Sequence, residues 1–202
     1  MQLIGMLDSP YVRRTAISLR LLGLPFEHRP LSVFSDFDRF REINPVVKAP
    51  TLICDDGTVL MDSSLIIDYA EGVSCRSLMP AAASERVRAL RLTGLALVAC
   101  EKTVQIVYEQ NLRPAGKQHQ PWLDRIGSQL VAAWSAIEQE AAATPLSADA
   151  ALMAQADLSV AVAWAFMQLM LPDLLAPDAC PLLADFSLRA ERLPAFLASP
   201  QR

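Results

Sequence analysis

Strand-like runs stop at about residue 80 of this 202-residue chain, and only helical spacing follows. A chain divided in this way is expected to fold as a mixed α/β layer of residues 1–75, a linker at 76–83 and an all-helical region at 84–202. In the first part, Leu3–Leu7 reads as a short buried strand. Ser9 is placed as an N-cap, with Pro10 at the first helical position and Gly23 as the stop. Residues 25–31 read as a second strand and 35–43 as a short helix or turn. Two apolar runs, 51–54 and 58–61, flank Asp55-Asp56-Gly57 and predict a β-hairpin, and helical spacing resumes over 63–71. The order βαβα then ββα is that of a thioredoxin-like layer. Beyond it, helical periods cover 84–112, 121–143, 153–171 and 180–193, with Pro114, Pro145, Pro172 and Pro181 as breakers between them.

Composition narrows the functional classes. With 52% hydrophobic residues the chain can bury a sizeable core without metals or disulfides, and a net charge of −4 without a basic stripe argues against a nucleic-acid partner. Cys54, Cys75, Cys100 and Cys180 form no CxxC pair, and His28 and His119 lie far apart, so neither a metal site nor a dithiol redox motif is expected. Scattered cysteines fit a reducing cytoplasm. The first ten residues lack a basic leader pattern, and the longest apolar run, 158–171, is too short to span a bilayer, so no membrane partner is expected.

Three sites carry candidate chemistry. Ser9 is an ordinary helix cap, or a hydroxyl aimed where free N–H groups and the macrodipole stabilise an anion. Pro50, in the run Asn44-Pro45-Val46-Val47-Lys48-Ala49-Pro50-Thr51, is a trans proline at a strand start on composition alone. Asp62-Ser63 is a helix cap, or an anion site at a helix start. Lys48 is a solvated lysine or a ligand for a carboxylate.

Taken in order and spacing, Ser9-Pro10-Tyr11-Val12-Arg13, the Asn44–Ile53 run and Asp62-Ser63 resemble the glutathione transferase superfamily over the whole chain. The resemblance implies that Ser9 hydrogen-bonds the sulfur of glutathione as a co-substrate. A free thiol has a pKa near ~8.5; a charge-assisted hydrogen bond of roughly 1.5–3 kcal/mol lowers it to about 6.5–7.5 and makes the sulfur nucleophilic at neutral pH. It further implies a cis bond before Pro50 that exposes the Ala49 backbone to the cysteinyl unit, Lys48 facing the glycyl carboxylate, and Asp62 and Ser63 on the γ-glutamyl group. A small electrophile is the expected second substrate. Tyr11, Val104, Tyr108 and Trp164 are candidates for its pocket, although an aromatic or aliphatic stripe on a helix is more often core. Glu109 and Arg113 are spaced for a surface ion pair of small worth. Asp157 resembles the acid of the family's buried helix-start motif, with Ala154 standing where a Ser or Thr cap is usual.

The implied protein is a cytoplasmic glutathione transferase assembling as a two-fold homodimer. Two alternatives share the fold: a glutathione-binding or regulatory protein without turnover, and a glutathione-dependent reductase or peroxidase, which favours Cys at the Ser9 position.

Overall fold

A computed structural model describes residues 1–201 and separates the chain into two compact units. The first comprises Met1–Leu78 together with the described residues from Leu193 onward; the second is Met79–Arg192.

The first unit is built on a four-stranded sheet of β1 (Gln2–Ile4), β2 (Glu27–Arg29), β3 (Thr51–Ile53) and β4 (Val59–Met61), in the order β2-β1-β3-β4. β1 pairs in parallel with β2, as a crossover connection requires, and antiparallel with β3. β3 and β4 form the expected hairpin about Gly57, whose φ of 85° is the left-handed value a tight turn asks of glycine. The thioredoxin-like layer predicted from the sequence is therefore present.

Three helices cover the sheet: α1 (Pro10–Leu21), α2 (Phe37–Ile43) and α3 (Ser63–Val73). Ile4 packs with Leu31 and with Phe40 of α2, so its neighbour Leu3, fully buried, faces the other side of the pleat. Ten of the twelve residues of α1 are buried, which makes it the central helix of the unit. β1 is shorter than the predicted Leu3–Leu7. It ends at Ile4, before Gly5, whose φ of 138° leaves the strand region and where a Cβ would stand 2.6 Å from Val12 and 3.1 Å from Ala49.

The helical region contains α4 (Ala83–Leu112), α5 (Gln120–Ala143), α6 (Gln155–Met170) and α7 (Pro181–Ala190). α6 has twelve of its sixteen residues buried and is packed against α4 and α7. Glu138 on α5 accepts the N–H groups of Leu182 and Leu183 at 2.9 and 3.1 Å, capping α7 from outside its own sequence. Asp157 retains half of a reciprocal cap. Its carboxylate accepts the N–H of Ala154 at 2.8 Å and of Ser147 at 3.3 Å, while Ala154 offers nothing in return. Burial raises the Asp157 carboxyl above the usual carboxylate range, against the lowering effect of those two N–H groups and of Arg88.

Two expectations need correction. The predicted helix over 180–193 ends at Ala190, and a further short helix, α8 (Pro194–Leu197), begins at Pro194, which cannot continue the earlier one. The tail is also not part of the helical unit. Phe196 is buried beneath the Arg13 guanidinium, 5.6 Å from its ring centroid. Arg13 Nε donates to the Ser199 carbonyl at 2.8 Å, and Arg20 Nε to the Ser199 hydroxyl at 3.0 Å. These contacts tie the tail to α1.

Among the described residues no helix is long and apolar enough to cross a membrane, and no group of three or more His, Cys, Asp or Glu is placed to hold a metal ion.

Candidate functional site

The run Asn44–Thr51 closes on itself through its own polar groups. Asn44, buried, donates its Nδ2–H to Thr51 Oγ1 at 2.8 Å and accepts the Val46 N–H at 3.0 Å, and Thr51 Oγ1 in turn donates to the Lys48 carbonyl at 2.7 Å. The Ala49–Pro50 bond is cis. Neither the N–H nor the C=O of Ala49 has a hydrogen-bond partner among the described residues. A half-buried backbone amide left open in this way suits an extended peptide ligand.

Asp62 caps α3 by accepting the Ser64 N–H at 2.9 Å, and Ser63 is buried at the first helical position. Val47 and Asp62, with φ of 51° and 71°, are the two non-glycine residues with positive φ among those described. For a β-branched residue such as Val47 that conformation is an outlier. Both sit where the chain turns toward one cavity of about 170 Å³, lined by Tyr11, Lys48, Ala49, Pro50, Asp62 and Ser63. Backbone strain of this kind collects at ligand sites.

All five residues predicted to hold the ligand thus line a single cavity, and Tyr11, expected at the second-substrate pocket, joins them. Ser9 does not line it. The serine stands at the N-cap position of α1, half-buried, and its hydroxyl caps no helix N–H. The capping role expected from sequence is therefore unused, and its donor remains available. Sequence reasoning missed Arg14. Its buried guanidinium donates to Ser63 Oγ at 2.9 Å and Ser64 Oγ at 3.2 Å, and the 49-residue separation from Ser63 leaves no local signal.

The relatives agree with this architecture. Residues 3–73 match the family model for the glutathione S-transferase N-terminal domain. A glutathione transferase family member from Pseudomonas fluorescens Pf-5, solved with bound glutathione, is 30% identical; the alignment covers 100% of this chain and 98% of that one, with a TM-score of 0.86. This chain belongs to the glutathione transferase family.

A second structure of a family member from that organism, with bound S-(propanoic acid)-glutathione, is 30% identical with 98% of each chain covered and a TM-score of 0.81. The uncharacterized GST-like protein YibF of Escherichia coli is 29% identical over 126 residues, which span 62% of this chain and 62% of that protein.

The helical unit of this family member holds a second cavity of about 340 Å³, lined by Val104, Gln105, Tyr108, Glu109, Leu112, Arg113 and Trp122. Val104 and Tyr108 were expected at such a pocket. Trp164 was too, but it lies in the core, edge-on to Trp134 with centroids 5.0 Å apart. Glu109 is not the surface partner its spacing predicted. It is 7% exposed, pairs with Arg113 at 3.0 Å and accepts the His119 N–H at 3.0 Å, which fixes the connection between α4 and α5. Trp122 escaped sequence reasoning because it follows that connection rather than lying on α4.

Proposed function

We propose that the cavity of the α/β unit binds glutathione and that the protein activates its thiol for attack on a small electrophile. The observation that carries this reading is the convergence of Lys48, Ala49, Pro50, Asp62 and Ser63 on one cavity, with the Ala49 amide open on both sides. In this reading the Ala49 N–H and C=O pair with the cysteinyl backbone, Lys48 faces the glycyl carboxylate, Asp62 takes the γ-glutamyl ammonium and Ser63 its carboxylate. Glutathione bound by the solved relatives supports the ligand.

Ser9 is the catalytic donor. Its hydroxyl hydrogen-bonds the thiolate and is not itself the nucleophile. The thiol proton passes to solvent, the sulfur forms a new C–S bond with the electrophile, and the bonding pair leaves with the departing group. The cavity beside Tyr108 and Trp122 is assigned to the second substrate. The working form in this reading is a homodimer, supported by the exposed stripe of Val87, Leu90 and Val98 on α4.

Ultraviolet titration of the bound thiolate tests the Ser9 role. Ser9→Ala is expected to raise the apparent thiol pKa by about one unit or more and to lower turnover, with a smaller change in glutathione affinity. An unchanged titration curve would remove Ser9 from the chemistry.

A further inference from the structure

We infer that Arg14 is a positioning residue that fixes the Ser63 hydroxyl as a donor into the α/β cavity and thereby sets how strongly that position prefers a carboxylate over a neutral amide. The inference rests on the glutathione reading above and deepens it.

A guanidinium can only donate, whereas a serine hydroxyl has one proton and two lone pairs. Arg14 Nη1 fills one lone pair of Ser63 Oγ at 2.9 Å. The hydroxyl proton is then repelled from the guanidinium and directed elsewhere, and Ser63 lines the cavity. The Ser63 N–H belongs to the first turn of α3, where N–H groups lack helical acceptors, and the Asp62 carboxylate is engaged with the next N–H, that of Ser64. Ser63 therefore presents two donors and, toward the cavity, a weakened acceptor.

The electrostatics point the same way. Arg14, 2% exposed, brings a full positive charge to a helix N-terminus that already carries partial positive charge. Both features, with the Asp62 carboxylate engaged on the Ser64 N–H, favour an acceptor at the Ser63 hydroxyl and N–H. A hydroxyl left free to rotate would accept an ammonium or amide as readily as it donates to a carboxylate.

The test compares calorimetric binding of glutathione with that of its analogue bearing a primary amide in place of the glutamyl α-carboxylate. Wild type is expected to prefer glutathione by about tenfold to a hundredfold. Arg14→Met is expected to abolish the preference by weakening glutathione alone. Arg14→Lys keeps the charge without the planar fork and is expected to lose about threefold to tenfold of it. Circular dichroism establishes that each variant is folded, and if Arg14→Met is not, Arg14→Lys decides. Full wild-type preference in a folded variant, or equal weakening of both ligands, overturns the inference. A wild type that binds glutathione and its amide equally overturns it too, leaving the glutathione reading intact. A wild type that binds no glutathione overturns both.

Discussion

The two cavities are made of different material. The one in the α/β unit is lined by a turn and the starts of two helices, which bring the open Ala49 amide together with the Lys48 and Asp62 side chains. The one in the helical unit is lined by side chains projecting from the body and end of α4, with Trp122 added from α5. The Ala49 N–H and C=O in the first cavity cannot be substituted away while the fold is intact, whereas its Lys48, Asp62 and Ser63 side chains can. A side-chain-built site can be altered one residue at a time while the helices stay in place.

The contrast can be broken first at the backbone. Gly5→Ala puts a Cβ 2.6 Å from Val12 and 3.1 Å from Ala49 at a φ of 138°. Overpacking and the unfavourable φ together should cost at least about 3 kcal/mol. Urea denaturation measures it, and a loss no larger than that of Gly57→Ala, where nothing lies within 4 Å, would show that the close approach of β1 to the Ala49 turn is not needed.

Ser63→Ala should weaken glutathione about 10- to 100-fold and leave cysteinylglycine, which has no γ-glutamyl group, nearly unaffected. Calorimetry with both ligands separates this from mere loss of helix stability; equal weakening would speak against a γ-glutamyl site.

In the helical unit, Trp122→Ala should raise KM for the electrophile by about threefold to tenfold while glutathione affinity stays constant. A parallel loss of glutathione binding would erase the distinction between the cavities.

The smallest effect concerns a polar group of the helical unit that serves structure alone. The Asp157 carboxyl titrates above its unfolded value, so its contribution to stability is fully present below the ordinary carboxylate range and declines as pH rises through the raised value. The melting temperature of Asp157→Asn relative to wild type should therefore rise across that interval, by a degree or a few, and level off above it. A trend of opposite sign would mean that the hydrogen bonds from Ala154 and Ser147 outweigh burial.

What could be read from the sequence divides along the same line. The turn around Ala49-Pro50, the Asp62-Ser63 helix start and the hairpin at Gly57 are contiguous motifs, each with a local physical cause, and the structure contains them. The Arg14–Ser63 bond and the Glu138 cap of α7 join residues 49 and 44 or 45 positions apart, and no local pattern announces such pairs. Trp164 was misplaced because helical spacing puts a tryptophan on a face without saying whether that face meets a cavity or, as here, Trp134. Glu109 and Arg113 were paired correctly, but their burial depended on the connection after Leu112, whose path the spacing does not contain.

The anchoring of the tail on α1 also sets the order in which the molecule can be completed. Arg13 meets the Ser199 carbonyl across 186 positions of chain, with the entire helical unit interposed. At about 5–20 residues per second, synthesis leaves this pair apart for roughly 10–40 s after Arg13 is made. Through that interval α1 carries a buried-type arginine with its final partner still unmade, and the helical unit can fold first. The α/β unit, although most of it is made first, cannot form its contacts with the tail until the whole helical unit has been synthesised.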